Sequence, residues 1–268
     1  MRNFIITSLQ TWDIEIGSTI KNTALEISKQ NRVLYINTPM DISNRLRGNR
    51  QSPSYIRRMD VIKGKASPLR QINANMWVLD CPFTLLSANF LPAPLFNIVN
   101  RKNNARIARW IVEQAAALGF KNYIHLIDTD IYRSRYLKGY IHPSVSIYYR
   151  RDYVIGEAYW RRHGTRLEPE LAASADIVLA NSTRFAAELQ PYNTHTYPIE
   201  TGVNLELYNP AKKYETPGDM QDIPRPIIGY MGTINSTRLD GDLLYQIISQ
   251  RPDYNFVFTG PEDDGFRQ

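Results

Sequence analysis

The sequence predicts an α/β fold: a doubly wound parallel sheet followed by a second, smaller α/β segment. Short apolar runs without in/out alternation recur along the chain, and amphipathic helical stripes separate them. This pattern is typical of strands that are buried on both faces of a parallel sheet. The length of 268 residues, with 43% hydrophobic and 22% charged residues, is that of an ordinary globular chain. We therefore expect a Rossmann-like architecture.

The first strand-helix-strand unit is visible in the N-terminal residues. Phe4 to Leu9 is a short β-rich run, and Val33 to Ile36 is a second buried run that ends before Pro39. Between them, apolar residues at helical spacing predict a helix, with Ser18 as its N-cap and Asn31 in a left-handed turn at its end. That stripe consists of Ile16, Ile20, Ala24 and Ile27.

The same alternation of strands and helices continues to about Asn209. Residues 40–75 show no clear period. Further strands are predicted at 77–79, 123–127, 145–149 and 177–180. Helical stripes are predicted at 108–118, 167–175 and after Ser182.

A proline-rich stretch predicts a domain boundary. Pro210, Pro217, Pro224 and Pro226 stand among mixed charges, which is typical of a linker. After it the pattern restarts, with strands at 227–231 and 256–259 around a helix at 239–248. The predicted organisation is a first domain at 1–209, a linker at 210–224 and the beginning of a second domain at 225–268. Because so short a unit cannot cover both faces of its strands, an oligomer is left open.

Basic residues concentrate in one segment of a chain whose net charge is +6. Between Arg45 and Arg70 the acidic residue Asp60 stands against eight basic ones: Arg45, Arg47, Arg50, Arg57, Arg58, Lys63, Lys65 and Arg70. Such a segment attracts phosphorylated substrates or lipid headgroups, and the alternative is a solvated loop without a partner. The candidates for acceptor or membrane binding are Arg57, Arg58, Lys63 and Lys65. Nucleic acid is not expected, since Tyr55 is the one aromatic interleaved with the basic cluster.

Several classes of protein are disfavoured by composition. Cys81 is the single cysteine, so an internal disulfide and a multi-cysteine metal site are excluded, and a reducing compartment is indicated. Apolar runs stay below the roughly 18 residues of a membrane span, and polar residues follow the N-terminus too soon for a signal peptide. We expect a cytoplasmic protein, with the inner membrane surface as a second location that the basic segment would allow.

The loop after the first strand is a candidate phosphate site. It runs from Gln10 to Ser18 and opens a helix, whose N-terminal N–H groups and partial positive charge suit an anion. Gly17 would let a phosphate approach the backbone closely, and Ser18 would cap the helix. The loop lacks the GxGxxG pattern of dinucleotide sites, and the alternative is a plain turn with a cap.

Two carboxylates follow the strand predicted at 123–127. Asp128, placed where this strand ends, could take a proton from a hydroxyl nucleophile or bind a sugar hydroxyl. Together with Asp130 it could hold a divalent cation, since hard oxygen ligands suit Mg²⁺ and Mn²⁺. Asp130 could equally cap the next helix. His125 lies inside the strand and is a candidate for either a core or a catalytic residue.

Arg150 and Arg151 follow the strand predicted at 145–149. Paired arginines at a strand end fit bidentate recognition of phosphate, and the alternative is an Arg–Asp surface network. The serines and histidines lack the sequence context of a hydrolytic triad. Walker loops and zinc-ligand spacings are also missing from the sequence, so no metal and no cofactor are expected.

Four segments resemble a known family. Gly202 to Pro210 is similar to the "G-V-D-x-x-x-F-x-P" run of the retaining GT-B glycosyltransferases of family 4 (glycosyl transferases group 1), with Asn204 and Tyr208 in place of the usual aspartate and phenylalanine. Glu168 to Ser182 resembles the family's "E-x-x-L-x-x-x-A-D-x-V-x-x-x-S" stretch. Ile228 to Ile234 and Phe256 to Pro261 look like the first two strands of its donor domain.

The resemblance implies a function and a set of site residues. It implies a nucleotide-sugar donor bound mainly by the second domain, an acceptor bound by the first, and transfer with retained configuration and usually no metal. By position, Gly17 and Ser18 belong to the loop near the donor diphosphate, and Gly232 and Thr233 match the facing loop. Ile127 occupies the position at which the family often has a histidine. Asp128 beside it is therefore the substitute catalytic candidate.

Two departures from the family concern the donor domain. After Gly232 the nearest cation is Arg238, where the family has a lysine. The family's acidic "E-x7-E" element would fall beyond Gln268, so the resemblance implies a donor domain that is cut short and an enzyme of low or no activity.

The expected function is transfer of a sugar to a cell-envelope or polysaccharide-type acceptor, either a saccharide or a lipid-linked one. One alternative is a noncatalytic module that binds a nucleotide or a phosphorylated ligand. A second is a metal-dependent GT-A transferase that uses Asp128-Thr129-Asp130, against which the restart of the pattern after the linker counts.

Overall fold

The computed structural model describes residues 1–14, 17–203, 205–236 and 239–262. Contacts divide the chain into two compact units, Met1–Gly202 and a second unit that begins at Val203. The predicted organisation of 1–209, 210–224 and 225–268 stays a prediction. Ile16, Asn204 and Arg238, which the sequence analysis singled out, lie outside the described residues.

One sheet organises the first unit. Its strands are β1 (Asn3–Ser8), β2 (Arg32–Ile36), β3 (Leu69–Asn73), β4 (Met76–Leu79), β5 (Ile124–Asp128), β6 (Val145–Arg150), β7 (Ile177–Ala180) and β8 (Thr196–Pro198). Within the described residues, these eight strands lie in the order β3-β4-β2-β1-β5-β6-β7-β8. All pairs are parallel except the pair of β3 and β4. The predicted doubly wound α/β fold is confirmed.

Helices connect these strands and cover the sheet. They are α1 (Thr19–Ser28), α2 (Ile42–Arg47), α3 (Pro53–Ile62), α4 (Ala93–Ala117), α5 (Ile131–Ser134), α6 (Leu137–Ile141), α7 (Ala158–Ser174) and α8 (Thr183–Leu189). The predicted N-cap of α1 is confirmed, since the Ser18 side chain accepts a bond from Lys21 N. The predicted left-handed turn at Asn31 is wrong, because the described non-glycine residues with positive φ are Asn122, Thr129 and His142. The helix ends at Lys29 in right-handed geometry, and the Asn31 carboxamide instead accepts a bond from Arg2 N at 3.0 Å.

Both faces of the sheet are buried, as the lack of alternation in the sequence predicted. Neighbouring residues of β1 enter different hydrophobic clusters because side chains of a strand alternate between faces. Ile5 packs in a cluster with Leu34 and Ile107 of α4, whereas Ile6 packs in another with Ile20 of α1. The sheet therefore lies between two helical layers.

Residues 40–75, which show no period in the sequence, form regular structure. They fold into α2, α3 and the antiparallel edge strand β3. Asp41 and Ser52 cap the two helices through their side chains. Polar contacts hold α3: its Arg57 bonds the buried Asp80 after β4, with 3.0 Å between Nε and Oδ2. The segment is therefore not a loop, and its binding of an anionic partner stays a prediction.

His125 of β5 is a buried core residue, and its burial predicts a pH-dependent stability. Its Nε2 lies 3.0 Å from the hydroxyl of Thr7, and burial lowers its pKa to about 3. In the unfolded chain an imidazole has a pKa of about 6.5. The unfolded state therefore binds more protons than the folded state between these two values. We expect the free energy of unfolding to fall as the pH is lowered through this window, by at most about 1.4 kcal/mol per pH unit.

Urea unfolding of the wild type and of His125→Gln between about pH 7 and 4 measures this effect. The glutamine variant should lack the histidine contribution, so its stability should fall less steeply with decreasing pH. Equal slopes for the two proteins would show that His125 does not titrate on unfolding.

The second unit contains a strand-helix-strand element. Strands β9 (Ile227–Met231) and β10 (Asn255–Thr259) pair in parallel, and helix α9 (Gly241–Gln250) connects them. The loop after β9 is tied to the end of β10, since Gly232 N donates to Thr259 O at 3.0 Å. Gly260 has φ +148°, and a Cβ placed there would lie 1.9 Å from the Gly232 carbonyl oxygen. Only glycine fits this close approach, so Gly260 fixes the position of the loop that begins at Gly232.

Candidate functional site

The carboxyl ends of β1 and β5 mark the point where the strand order of the large sheet reverses. The chain leaves β1 toward one edge through β2 and β4, and it returns on the other side at β5. In open α/β sheets, ligands bind outside the carboxyl ends of the strands at such a point. Ser8 ends β1 and Asp128 ends β5, and the two are register partners. The candidate site is built on this pair.

A buried carboxylate lies at the centre of the site. The Ser8 hydroxyl donates to Asp128 Oδ2 at 2.7 Å. Arg151, which follows β6, donates from Nε to Asp128 Oδ1 at 3.0 Å and from Nη2 to Oδ2 at 3.3 Å. Burial raises the pKa of the Asp128 carboxyl, and the bonds from Arg151 and Ser8 oppose this shift. Both carboxylate oxygens are thus occupied by protein groups. The contacts of Asp128, the predicted catalytic residue, are those of a residue that positions Arg151.

Arg151 is held along one edge of its guanidinium and faces the surface along the other. Its Nη2 also lies 3.3 Å from Gln10 Oε1, in the loop after β1. Its Nη1 lies 2.9 Å from Asp152, whose side chain is 57% exposed. An anionic ligand could replace this exposed carboxylate without disturbing the buried contact to Asp128. Arg151 is therefore a fixed cation at the carboxyl edge of the sheet.

Asp128 and Asp130 do not form a joint site. The Asp130 carboxylate accepts a bond from Arg133 N at 3.2 Å and caps α5, as the alternative reading of the sequence proposed. Thr129 between them has φ +56°, an unfavourable conformation for a β-branched residue. Its backbone N–H donates to Tyr149 O at 2.9 Å. Within the described part of the chain, no group of three or more His, Cys, Asp or Glu is suited to a metal ion. Each of the two carboxylates is thus bound by an arginine, and the GT-A alternative stays a prediction from the sequence.

The two arginines at the end of β6 point to different places. Arg150 is 2% exposed and contacts Glu168 at 3.3 Å and Glu188 at 2.8 Å. Its guanidinium also lies over the Phe185 ring, 4.4 Å from the centroid. Adjacent strand residues face opposite sides of the sheet, so Arg150 enters the protein interior while Arg151 faces the carboxyl edge. Arg150 and Arg151 therefore do not form the side-by-side pair expected from the sequence, and Arg150 is not part of the proposed site.

The loop after β1 is tied to the ends of β2 and β4. Trp12 N donates to Asn37 Oδ1 at 2.6 Å, and Asn37 Nδ2 donates to Asp13 at 2.9 Å and to the buried Asp80 at 2.7 Å. Arg70 of β3 closes the network with a 2.8 Å contact to Asp13. The sequence analysis did not identify Asn37 or Asp80. Each is a polar residue directly after a buried strand, and this position is the feature that could have indicated them. The network fixes the first part of the loop.

Gly17 and Ser18 lie at the end of the same loop, where α1 begins. Ser18 Oγ accepts a bond from Lys21 N at 3.2 Å. Gly17 is exposed, and a Cβ built on it meets no atom within 4 Å. The fold therefore does not need a glycine at this position for space. A ten-residue helix starts beside Gly17, with Thr19, Ile20 and Lys21 in its first turn.

The basic candidates fall into two groups. Arg57 is bound to Asp80, and Arg58 donates to Ser54 O at 2.9 Å. Burial lowers the pKa of Arg58, and the nearby charge of Arg133 adds to this shift. Lys63 and Lys65, at and after the end of α3, are exposed. Of the four predicted acceptor- or membrane-binding residues, the two lysines are thus the ones that face solvent.

In the second unit, Gly232 and Thr233 follow β9, the position that the sequence predicted for them. Tyr230 donates from its hydroxyl to Thr233 O at 3.1 Å, which folds the loop back over the strand. Across the described residues, no helix combines the length and hydrophobicity that a bilayer-spanning segment requires.

Comparison with known proteins shows a likeness of fold. No protein-family model matches the sequence, and no curated protein matches it. Among solved structures, the apo structure of OtsA, a GT-B glycosyltransferase, aligns with a TM-score of 0.55 at 10% sequence identity. The alignment covers 97% of this chain and 66% of that chain, so this chain spans just under two thirds of the length of OtsA. The chain has an α/β, Rossmann-like fold of the kind found in a GT-B glycosyltransferase.

Proposed function

We propose that the protein is a glycosyltransferase that moves a sugar from a nucleotide-sugar donor to a saccharide or lipid-linked acceptor. The observation that carries the proposal is the fixed guanidinium of Arg151, held by Asp128 at the reversal point of a sheet whose fold is shared with a glycosyltransferase. The resemblance of Gly202 to Pro210 and of Glu168 to Ser182 to retaining family 4 enzymes supports transfer with retained configuration. A cell-envelope or polysaccharide-type acceptor belongs to the same proposal.

In this proposal Arg151 stabilises the departing nucleoside diphosphate. As the bond from the anomeric carbon to the donor phosphate breaks, negative charge grows on the phosphate oxygens. A guanidinium that is already oriented stabilises this charge without reorganising. Asp128 and Ser8 act as positioning residues, because Asp128 bonds Arg151 and Ser8 bonds Asp128.

The proposed donor-binding residues also include two loops. Gly17 and Ser18 lie at the start of α1, where N–H groups and partial positive charge favour a phosphate. Gly232 and Thr233 of the second unit are proposed to contact the donor as well. Arg57 and Arg58 retain an indirect role, since the contact of Arg57 to Asp80 and that of Arg58 Nη1 to Thr38 O, at 3.4 Å, hold α3 in place.

A valine at Gly17 tests the phosphate site without disturbing the fold. Because a Cβ at Gly17 meets open space, Gly17→Val should unfold at the same urea concentration as the wild type. Its branched side chain should nevertheless block the approach of a diphosphate to the backbone. We expect calorimetric titration with UDP, GDP and ADP to show binding of at least one of them to the wild type. That binding should be weakened about tenfold or more in the variant, the loss of about 1.4 kcal/mol.

Gly218→Val provides the matched control, since a Cβ at Gly218 also meets no atom within 4 Å. It should bind the same nucleotide as tightly as the wild type. Equal binding by Gly17→Val and Gly218→Val would remove Gly17 from the donor site.

We propose that the exposed end of α3 contacts an anionic acceptor or the inner membrane surface. Lys63 lines a groove with Arg45 and Arg50, next to the exposed apolar side chains of Leu46 and Ile56. Basic residues attract anionic headgroups, each by about 1 kcal/mol near the surface.

Lys63→Glu with Lys65→Glu should therefore reduce co-sedimentation with phosphatidylglycerol vesicles severalfold. The control, Lys102→Glu with Lys121→Glu, changes two exposed lysines elsewhere. If both double variants lose vesicle binding equally, the binding depends on net charge and not on the end of α3.

A further inference from the structure

A narrow pocket opens beside α4 in the first unit. Its lining includes Asn89, Phe96, Asn100, Tyr132, Arg133 and Tyr159. Ser8, Asp128 and Arg151 of the candidate donor site do not belong to its lining. Its volume of about 30 Å³ holds a group of the size of a hydroxyl and not a whole ring. In ligand pockets, a few polar groups fix the orientation of what is bound. The polar groups here are therefore the guide to the ligand.

Two buried polar atoms of this pocket have no partner among the described residues: Asn100 Nδ2 and Asn89 Oδ1. Asn100 is 5% exposed, and its other amide atom, Oδ1, accepts a bond from Asn104 Nδ2 at 3.2 Å. Asn89 uses its Nδ2 to donate to Tyr159 O at 3.0 Å. Asn100 thus keeps one donor, and Asn89 one acceptor, without a partner among the described residues. Buried polar groups without partners carry a free-energy penalty, and most find one.

The combination of a free donor and a free acceptor selects the chemistry of the partner. A hydroxyl group donates one hydrogen bond and accepts others, so a single hydroxyl can serve both kinds of atom. A carboxylate or phosphate only accepts, and an ammonium group only donates. Nonionic alcohols therefore fit the two amides better than charged ligands do.

The walls of the pocket add a second requirement. Phe96 and Leu85 provide buried apolar surface, and Tyr159 at the rim is 44% exposed. Tyr132 stands against Phe96 edge to face, with the ring centroids 5.3 Å apart. A tyrosine ring offers apolar faces together with a polar tip. A sugar presents C–H surface and hydroxyl groups on the same ring, which matches this lining.

We propose that this pocket binds a hydroxyl substituent of a neutral sugar ring, with Asn89 and Asn100 as its polar contacts and Tyr159 beside the ring. As the site of the acceptor sugar, the pocket rests on the proposed function. As a sugar-binding pocket, it can be tested without any donor or turnover.

Saturation-transfer NMR and calorimetry with methyl glycosides of glucose, galactose and mannose, added to the full chain, test the proposal. We expect at least one glycoside to bind. Asn100→Leu keeps the size of the side chain but removes the donor, and Asn89→Leu removes the acceptor from a different segment. Each should weaken that binding about tenfold, as for one lost hydrogen bond.

Asn97→Leu is the matched control, because Asn97 lies on α4 outside the pocket and accepts a bond from Arg166 at 2.7 Å. It should bind the glycoside within about twofold of the wild type. Urea unfolding verifies that each variant is folded, and the Asn89 variant keeps the test valid if Asn100→Leu does not fold.

The outcomes separate this proposal from the function on which it rests. If a nucleoside diphosphate binds but no glycoside does, the two amides bond only to water and the pocket proposal is overturned, while the donor site stands. Binding that all three leucine variants retain would place the sugar elsewhere and also overturn it. If neither glycoside nor nucleotide binds, both proposals fail.

Discussion

Replacement of Arg150 by methionine is expected to lower the free energy of unfolding by about 3–5 kcal/mol. The Arg150 side chain is 2% exposed, and its partner Glu168 is 3% exposed. Without the guanidinium, Glu168 would keep a buried charge with only the Tyr148 hydroxyl, at 2.7 Å, to compensate it. Burial already raises the pKa of Glu168, and the charge of Arg150 opposes that shift. Urea unfolding at about pH 7 measures the loss.

Two further variants show whether the buried charge is the cause. Arg184 also contacts Glu188, at 3.2 Å, but its side chain is 82% exposed. Arg184→Met should therefore cost only about 0–1 kcal/mol. Adding Glu168→Gln to Arg150→Met removes the stranded charge and should recover a large part of the stability. Equal losses for Arg150→Met and Arg184→Met would mean that Arg150 acts as a surface cation.

The second large effect is expected at Arg151, where stability and binding change together. Arg151→Met leaves the buried Asp128 carboxylate with the Ser8 hydroxyl alone, so we expect destabilisation of about 3–5 kcal/mol. It also removes the proposed phosphate contact. A charge-assisted hydrogen bond of about 1.5–3 kcal/mol corresponds to roughly 10- to 150-fold weaker nucleoside diphosphate binding. Calorimetry and urea unfolding measure the two effects separately.

The double variant Arg151→Met with Asp128→Asn separates the two roles. The amide of the new asparagine needs no counter-charge and can still accept the bond from Ser8, so stability should recover while nucleotide binding stays weak. Arg166→Met, which removes an arginine that pairs with Glu170 at 2.9 Å, should bind the nucleotide normally. A folded double variant that binds as tightly as the wild type would show that Arg151 does not contact the phosphate.

The sheet of the first unit was predictable because its strands are continuous apolar runs. Val33 to Ile36 and Ile177 to Ala180 are local signals that need no knowledge of their neighbours. Helix α3 was not predictable in the same way, since only Val61 within it is buried. Its position depends on the contact between Arg57 and Asp80, two residues 23 positions apart. The hydrophobic periodicity of the sequence does not reveal such a contact.

The candidate site was predicted in part for a similar reason. Asp128 and Arg151 were found because polar residues directly after buried strands meet at one edge of the sheet. Arg150 was misplaced, although strand alternation alone indicates that it faces away from Arg151. The free amide atoms of Asn89 and Asn100 could not be predicted. Which amide atoms stay without a partner depends on contacts such as that of Asn89 with Tyr159, 70 residues away.

Turnover of a nucleotide sugar tests the proposed function most directly. The protein is incubated with UDP-glucose, UDP-galactose, UDP-N-acetylglucosamine and GDP-mannose, with and without methyl glycosides, and the released nucleoside diphosphate is measured. The account predicts release from at least one donor, faster with an acceptor and lost in the Arg151→Met and Asp128→Asn double variant. Donor binding without release under any condition would contradict transfer and identify a nucleotide-binding module. The absence of both binding and release would contradict the donor site itself.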